Sequence, residues 1–460
     1  MAQRNKRLRK TEMKEDEDAL RDEIFETVRR ILQARSSEKT FTPGKDLVRY
    51  AEAVYDHEEV ENMFNAILDG WFGVGKYAKR FESEFAKVLA VTKAVMTNSG
   101  SSANLLAVSA LTSNRLSDGD WLKKGDEVIT PASTFPTTIN PIIQNGLVPV
   151  LLDAEIGTYN VRTESLNSAL SKKVRAVFVP HVLGNPNDMD YLVDFAEEHD
   201  LFLVEDACDA LGSRFDGKLV GGFGNLGTFS FYPAHQITTG EGGAVVTNDE
   251  KLAEIVLSLR DWGRTCVMPI CDPQHCPDKG CPKSARYERP AGSSLPEDYD
   301  KRYSYTEIGY NLKPTEVQAA MGLAQLKKLT AFIEARKKNF KRLLDEFQNY
   351  EDLFVLPESL PKSEPCWFAF PLTITEKAPF KRKDVIQWLI KRNIEVKVLF
   401  AGNILNHPAY KNVKCRVAEK LSNSDRIMHD SFFLGVYPGL TEEKLAYIVD
   451  VMKEFISKHK

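Results

Sequence analysis

Short apolar segments alternate with longer amphipathic segments from about residue 60 onward. Seven short segments rich in β-branched and aromatic residues predict strands near 94–98, 127–131, 148–153, 174–180, 201–206, 226–232 and 243–247. The segment 176–179 (Ala-Val-Phe-Val) is apolar at every position, which is typical of a strand buried on both faces. The pattern therefore predicts an α/β fold with a mostly parallel, seven-stranded sheet and helices outside it.

The rest of the pattern divides the chain into three parts. Residues 1–45 form a charged tail with one amphipathic helix at 18–34, residues 46–328 form a large domain, and residues 329–460 form a smaller C-terminal α/β domain. The last part should contain strands at 368–374 and 394–399 and helices at 383–391 and 441–457, after a long helix at 314–347. Residues 264–300, rich in Cys, Pro, Gly and charge, show no period and are interpreted as an insertion in the large domain.

Composition narrows the class of protein. The 460 residues carry 61 basic and 65 acidic side chains, a balance that gives no general footprint for nucleic acid or for an anionic membrane. No apolar run approaches the ~18 residues of a membrane span, and no apolar signal segment opens the chain, so we expect a cytoplasmic protein. The basic cluster at 6–10 is followed by acidic residues at 15–18, which favours a solvated terminus over a nucleic-acid tail.

A polar turn joins the first predicted strand to a helix. Residues 97–104 read Thr-Asn-Ser-Gly-Ser-Ser-Ala-Asn and precede the apolar run 105–108. The start of a helix offers N–H groups without intrahelical partners and the positive end of the dipole, so Ser101 and Ser102 could bind a phosphate. Simple N-capping by either hydroxyl would explain the same residues.

Two further motifs follow later strands. Asp206, within 204–212 (Val-Glu-Asp-Ala-Cys-Asp-Ala-Leu-Gly), ends a buried strand at the edge where open α/β sheets bind ligands. Its carboxylate could pair with a protonated ring nitrogen, or it could cap the next helix. In 227–244, a glycine-rich loop between two strands carries Ser230, which could hold a phosphate, and His235, which could transfer protons or be purely structural.

The three motifs, in this order and spacing, resemble the sugar aminotransferase family of fold type I pyridoxal-phosphate enzymes, the DegT/DnrJ/EryC1/StrS family. The resemblance extends from about residue 40 over nearly the whole chain. It includes the segments 68–71, 135–141, 309–313, 319–326, 399–403 and 435–439. It implies the fold type I architecture and a bound pyridoxal or pyridoxamine 5′-phosphate.

One position departs from the common pattern of that family. A lysine in the third motif normally binds the cofactor covalently, whereas here the position is His235, whose imidazole has no primary amine. With histidine at this position, the chain resembles a small branch of the family, the nucleotide-sugar 3-dehydrases. In that branch pyridoxamine phosphate is held non-covalently and the histidine is the base. The resemblance implies dehydration at C3 of a nucleotide-linked 4-keto-6-deoxyhexose, with CDP-4-keto-6-deoxyglucose as the expected substrate, in making 3,6-dideoxyhexoses for lipopolysaccharide O-antigen.

The resemblance also implies roles for individual residues at the cofactor. Phe135 should stack on the pyridine ring, and Asp206 should bind the ring nitrogen. The phosphate should be contacted by three hydroxyl groups, those of Ser101, Ser102 and Ser230. Asn311 should reach the phosphate bound by a neighbouring subunit, which implies a homodimer with shared active sites. His181 should lie near the ring, or else be an ordinary packed histidine.

Several cysteines are candidate ligands for an iron–sulfur cluster that would deliver electrons to the reaction. The reductive members of the branch carry a [2Fe–2S] cluster, which receives electrons from a partner flavin and iron–sulfur reductase. The ligand pattern that the resemblance implies is one Cys just after the pyridinium Asp, then Cys-x-Cys, then another Cys after seven intervening residues. Cys208, Cys266 and Cys276 match three of these positions, but Met268 stands at the fourth, and a thioether is a poor replacement for a thiolate. The missing ligand could come from Cys271, Cys281 or His275.

The sequence leaves three alternatives open. The first is a cluster-free dehydratase that also transaminates a GDP- or TDP-4-keto sugar, which Met268 favours and the Cys-rich loop disfavours. The second is a zinc site at Cys266, Cys271, Cys276 and Cys281, whose spacing is at the edge of the usual range. The third is a non-catalytic sensor that binds cofactor or sugar. The presence of both Asp206 and His235 argues against it, because a sensor would be expected to have lost one of them.

Overall fold

The computed structural model describes residues 2–37, 40–116, 119–266, 287 and 292–459. In this part of the chain the helices are α1 Ala2–Ser37, α2 His57–Leu68, α3 Lys76–Leu89, α4 Gly100–Leu111, α5 Pro136–Gln144, α6 Leu166–Ala169, α7 Met189–Glu198, α8 Glu250–Arg260, α9 Glu316–Phe347, α10 Arg382–Ile390, α11 Ser422–Asp430 and α12 Glu442–His459. The strands are β1 Lys93–Thr97, β2 Glu127–Pro131, β3 Val148–Leu152, β4 Val174–Pro180, β5 Phe202–Asp206, β6 Arg214–Phe215, β7 Lys218–Leu219, β8 Leu226–Ser230, β9 Gly243–Thr247, β10 Phe354–Val355, β11 Ser363–Glu364, β12 Ala369–Ile374, β13 Lys397–Val398, β14 Arg416–Val417 and β15 Ser431–Gly435.

The main sheet has eight strands in the order β1-β9-β8-β5-β4-β2-β3-β14. All neighbours from β8 to β14 pair in parallel, and β9 is antiparallel to both β1 and β8. The seven predicted strands are therefore confirmed. The eighth, β14, contains only two residues, too few to produce a period that sequence reasoning could detect.

Alternate side chains of the central strands enter two different cores. On β4, Val177 and Val179 pack in a core with α3, α7 and α9, whereas Ala176 and Phe178 pack on the opposite face with α4 and α8. This follows from the two-residue period of a strand, and it explains why these segments are apolar at every position. Helices on both faces hold the sheet edge that bears the polar loops.

The C-terminal region builds a separate, smaller antiparallel sheet in the order β10-β12-β15-β13. Its strands β12 and β15 are buried throughout and pack on α10, α12 and the second half of α9. The predicted strand at 394–399 is shorter than expected, since only Lys397 and Val398 form a strand in the C-terminal sheet. The division into domains at residues 46 and 329 stays a prediction, and Val48 in fact pairs with Ile394 of the C-terminal region.

Helix α9 begins at a capping box that its sequence encodes. The Thr315 hydroxyl accepts from the Gln318 amide, and the Gln318 side chain accepts from the Thr315 amide. The helix then runs for 32 residues, with Ala319, Leu323 and Phe332 in the core of the main sheet and Phe340 and Leu343 in the core of the C-terminal sheet. A single helix therefore joins the two cores.

The N-terminal helix is longer than the predicted 18–34. It packs on α2, where Arg21 donates to Asn65 and Arg29 pairs with Glu61. No helix in the described ranges is both long and apolar enough to cross a membrane.

Candidate active site

A cavity of about 240 Å³ opens at the carboxyl ends of the parallel strands. The loops after β1, β2, β4, β5 and β8 supply most of its wall. Tyr50 and, from the C-terminal region, Phe368 and Phe400 complete it. Because parallel strands bring their carboxyl ends to one edge, motifs that are far apart in sequence meet here.

Asp206 is buried at the end of β5 and lines the cavity. Its Oδ2 accepts hydrogen bonds from Asn104 Nδ2 at 2.8 Å and Thr138 Oγ1 at 2.7 Å, and its Oδ1 accepts from the Cys208 amide at 3.2 Å. In the described segment 207–213, between β5 and β6, no helix begins, so the capping alternative for Asp206 is wrong. The carboxylate is held in one orientation by neutral donors, which leaves its charge available to a cationic ligand.

The start of α4 forms one end of the cavity. Ser99, not Ser101 or Ser102, caps this helix, since its side chain accepts from the Ser102 amide. Ser101 is exposed and lines the cavity together with Ser230. Ser102 does not line it, because its hydroxyl donates to Asn98 at 2.6 Å within its own turn.

The start of α4 lies close to the end of β8, and the absence of a side chain at Gly100 makes this approach possible. A Cβ at Gly100 would lie 2.5 Å from the Ser230 Cβ and 3.0 Å from the Cys208 Sγ, distances that ordinary contacts do not allow. The first amides of the helix therefore come close to the Ser230 and Ser101 hydroxyls. A helix N-terminus with hydroxyl groups beside it is a set of donors suited to a phosphate.

An aromatic wall stands at the opening. Phe135, about half exposed, precedes α5 and meets Phe400 edge to face at 5.4 Å between ring centroids. Tyr232 is similarly exposed in the loop that carries His235. The Phe135 ring is thus available to stack on a planar ligand in the cavity.

His181 lies at the end of β4 and lines the cavity, although its side chain is fully buried. Its Nδ1 accepts from the Asn187 amide at 3.1 Å, which places the proton on Nε2, 3.1 Å from Glu205 Oε2. Glu205 also accepts three backbone amides, those of Gly221, Phe223 and Gly224. Burial opposes ionisation of Glu205, but His181 and these amides together hold its pKa below the ordinary value. His181 is therefore fixed in one tautomer beside Asp206.

His235 projects from the loop after β8, with its Nδ1 3.4 Å from Asp209 Oδ1. Burial, followed by the charge of Arg336, lowers the pKa of His235 to about 3, and burial, followed by the charge of Asp206, raises the pKa of Asp209 to about 7. Both shifts disfavour charge, so the two groups meet as a near-neutral contact and not as an ion pair. Among the described residues, Nδ1 has no hydrogen-bond partner within ordinary geometry. His235 is thus a neutral imidazole, the form that can accept a proton.

Asn311 lies outside this cavity. It is exposed, its backbone pairs with Asp261, and its Oδ1 accepts from Lys313 Nζ at 2.5 Å. Asn311 is not among the residues that line the cavity, and its expected contact with the phosphate bound by a neighbouring subunit stays a prediction.

The cysteines are only partly within the described residues. Cys208 lines the cavity, and Cys266 follows α8. Met268, Cys271, His275, Cys276 and Cys281 lie outside the described residues. Over the described ranges, no three His, Cys, Asp or Glu side chains converge in a group that could hold a metal ion. The expected ligand set Cys208, Cys266, Cys271 and Cys276 stays a prediction.

The donor set fits a pyridine ring that carries a phosphate. Asp206 offers a carboxylate to a ring nitrogen, Phe135 offers an aromatic face, and Ser101 and Ser230 stand at a helix start. No lysine is among the side chains described around the cavity.

The comparison with known families shows which family the chain belongs to. The sequence profile of the DegT/DnrJ/EryC1/StrS aminotransferase family matches residues 54–268 and 278–453. The chain belongs to this family. The fold is accordingly the fold type I architecture of pyridoxal-phosphate enzymes.

Members of the family with similar sequences carry informative names. The chain is 46% identical to a dTDP-4-dehydro-2,6-dideoxy-D-glucose 3-dehydratase of Saccharopolyspora spinosa, over 95% of this chain and 92% of the relative. It is 44% identical to the lipopolysaccharide biosynthesis protein RfbH of Salmonella typhimurium, over 95% of this chain and 98% of the relative. The structure of an Escherichia coli GDP-4-keto-6-deoxy-D-mannose-3-dehydratase with bound hydrated PLP aligns with a TM-score of 0.78 at 30% identity, covering 88% of this chain and 99% of that one.

Sequence reasoning missed several residues of the site. Asn104, Thr138 and Asp209 lie within or beside the quoted motifs, but only the fold shows what they contact. The contact of Arg336, in the middle of α9, with the His235 loop could not be predicted. The period of a helix can show that a position faces the interior, but not which loop the side chain contacts there.

We predict a change of tautomer at His235 as Asp209 titrates. Ionised Asp209 favours Nδ1–H, from which it can accept a hydrogen bond, whereas protonated Asp209 can donate a hydrogen bond to Nδ1 and so favours the imidazole proton on Nε2. Since the pKa of Asp209 is about 7, the Nδ1–H tautomer should increase as the pH rises through that value, with His235 neutral throughout. Nitrogen-15 NMR of labelled histidine measures this.

His181 is the internal control, because its tautomer is fixed by Glu205, whose pKa is low. Asp209→Asn should remove the pH dependence at His235 and leave His181 unchanged. A His235 spectrum that stays constant in the unmodified protein would contradict the assignment.

Proposed function

We propose that this chain dehydrates C3 of a nucleotide-linked 4-keto-6-deoxyhexose, using pyridoxamine 5′-phosphate and His235 as the base. The observation that carries this proposal is His235 itself, a neutral imidazole in the cavity at the position where most of the family has a lysine. The relatives named 3-dehydratases support the reaction type.

Different residues of the cavity would bind the ring and the phosphate of the cofactor. Pyridoxamine phosphate, when bound, supplies an amine that reacts with a keto group and a ring that withdraws electrons from the neighbouring carbon. Asp206 would keep the ring nitrogen protonated, held in place by Asn104 and Thr138. Ser101, Ser230 and the start of α4 would hold the phosphate, and Phe135 would cover the ring.

His235 would perform the proton transfer. Burial keeps the imidazole uncharged at neutral pH, so it is ready to accept a proton without first losing one. With Asp209 ionised, Nδ1–H faces Asp209 and Nε2 has the free lone pair. Asp209 would then stabilise the imidazolium that forms.

The proposal also specifies which nucleotide the sugar substrate carries. We expect a CDP-sugar and a role in lipopolysaccharide dideoxyhexose synthesis, and the likeness to RfbH supports the pathway class. Other relatives are named for dTDP- and GDP-sugars, so these are the alternatives for the nucleotide. The exposed rings of Phe135 and Tyr232 at the opening are suited to line the entry of such a substrate.

We also propose that a [2Fe–2S] cluster and a separate flavin and iron–sulfur reductase supply electrons. Cys208 supports this, because it lines the same cavity one residue beyond Ala207, close to where the sugar would react. Burial raises the pKa of the Cys208 thiol well above its ordinary value, so it is protonated unless a metal binds and displaces the proton. The cluster-free dehydratase that transaminates is the alternative.

A homodimer with shared sites is the last part of the proposal. Asn311 is exposed beside Ile308, which is 98% exposed, and two more apolar side chains, Trp71 and Phe72, are 53% and 57% exposed. Large apolar side chains exposed in this number are typical of a surface that a second subunit covers. Such a contact would bring Asn311 to the cofactor phosphate of the partner.

Replacing the base should separate binding from chemistry. We expect His235→Asn to lower kcat for dehydration by about 10²–10⁴-fold, because proton transfer loses its acceptor, while cofactor absorbance shows that binding persists. His235→Lys should bind pyridoxal phosphate covalently, seen as added mass after borohydride reduction. Turnover should be assayed with CDP-, dTDP- and GDP-linked 4-keto sugars. His429→Asn, at an exposed residue of α11, is the control. Undiminished turnover of His235→Asn would remove His235 as the base.

Metal analysis tests the cluster. Protein purified without oxygen should contain about two iron and two sulfide per chain, and Cys208→Ser should lose them. Cys415→Ser, outside the expected ligand set, should retain both. If neither element is found after reconstitution, the chain is a cluster-free enzyme and an amino donor should support transamination.

Mixed dimers test the shared site. Asn311→Asp should impair phosphate binding by the partner, and His235→Asn should inactivate its own site. Co-expressed, the two variants should recover about a quarter of the normal activity, because half of the dimers have one intact site of two. Recovery equal to the sum of the two separate variants would show that the sites are not shared.

A further inference from the structure

Arg336 is a charged side chain in the interior of the protein. It lies in the middle of α9, is 1% exposed, and is among the largest fully buried side chains. Removing a guanidinium from water is costly unless hydrogen bonds replace those of the solvent. An apolar residue of similar volume would fill the same space without that cost, so the charge needs an explanation.

The partners of Arg336 are backbone carbonyl groups. Its Nη1 donates to the Phe368 oxygen at 3.0 Å, and its Nη2 donates to the oxygens of Ala234 at 3.1 Å and His235 at 2.8 Å. Within the described residues, no carboxylate lies within 4 Å of the guanidinium. The side chain thus binds two segments that are distant in sequence, the loop of His235 and the start of β12.

These contacts fix the surroundings of the His235 ring. The amide of His235 donates to the Tyr232 oxygen at 3.0 Å, which closes a turn, and its ring lies 5.3 Å from the Phe368 ring. Next to it, the Gln236 side chain donates to the oxygens of Asp209 and Cys366. Arg336 therefore ties the loop that carries the imidazole to the wall against which the imidazole packs.

Arg336 also contributes positive charge close to the ring. The ionisable groups that line the cavity with His235 are Asp206, Cys208 and Asp209 after β5, His181 after β4, Tyr232 in its own loop, and Tyr50, and no Lys or Arg is among these lining residues. The charge of Arg336 acts in the same direction as burial, against protonation of the imidazole. It also opposes the rise in the pKa of Asp209.

We propose that Arg336 is a positioning residue, which holds the His235 loop through its carbonyl groups and, through its positive charge, keeps the imidazole in the form that accepts protons. This inference rests on the proposed role of His235 as the base. Its electrostatic part can be measured without turnover.

Two variants separate the hydrogen bonds from the charge. Arg336→Gln retains an amide donor without charge, and Arg336→Lys retains the charge with a different donor geometry. Arg342→Gln is the matched control, because Arg342 lies on the same helix and pairs with Glu346 and Glu442 at the surface. Thermal unfolding and cofactor absorbance establish that each protein is folded and loaded.

The readouts are steady-state kinetics and NMR titration of the His235 imidazole in cofactor-saturated protein. For Arg336→Gln we expect kcat to fall about 100-fold with KM nearly unchanged, and the imidazole to titrate about one pH unit or more higher than in the unmodified chain. Arg336→Lys should restore the titration but only part of kcat. Arg342→Gln should match the unmodified chain in both.

An Arg336→Gln variant with full kcat and an unshifted imidazole would overturn the proposal. If neither Arg336 variant folds, the unmodified protein still tests it, because an imidazole that charges near pH 6.5 would show that Arg336 does not keep it neutral. Absence of turnover in the unmodified chain would count against the proposed function alone, since the titration is measured independently.

Discussion

The register of β5 between its two parallel neighbours determines where the chemistry is placed. Asp206 pairs opposite Pro180 of β4 on one side and Thr228 of β8 on the other. Strands β4 and β5 therefore end at the same level, and β8 extends two residues further, to Ser230. This arrangement brings His181, Asp206 and Ser230 to one cavity. A shift of β5 by one residue would turn Asp206 to the other face of the sheet and separate it from Asn104 and Thr138.

Three acidic residues within five positions then acquire three different environments. Glu205 points to the opposite face of the strand from Asp206, and hydrogen bonds from backbone amides and His181 stabilise its ionised form. Asp206 is held by the neutral donors Asn104 and Thr138. Asp209 has burial and a like charge against it, so its pKa rises toward neutrality. One short segment thus provides a structural anchor, a partner for a cation and a group that titrates near physiological pH.

The sequence was informative where local chemistry and tertiary position coincide. The seven strands could be predicted because burial on both faces makes most of their positions apolar. The roles expected of Asp206, at the end of such a strand, and of His235, in the loop after another, came from the resemblance of the surrounding motifs to a known family. The two-residue strands β6, β7 and β14 carry no period, and Ser102 could not be told from Ser101 before the turn was known to use its hydroxyl. Asp209 and Arg336 depend on which loops the fold brings together, a relation that residue spacing does not contain.

Helix α9 has a mechanical consequence for this architecture. Because it is continuous through both hydrophobic cores, bending one core against the other would break its backbone hydrogen bonds near the middle, at the turn that bears Arg336. The continuous helix therefore opposes a hinge motion between the two sheets. A ligand that enters the cavity would pass the half-exposed side chains at its opening, among them Phe135 and Tyr232.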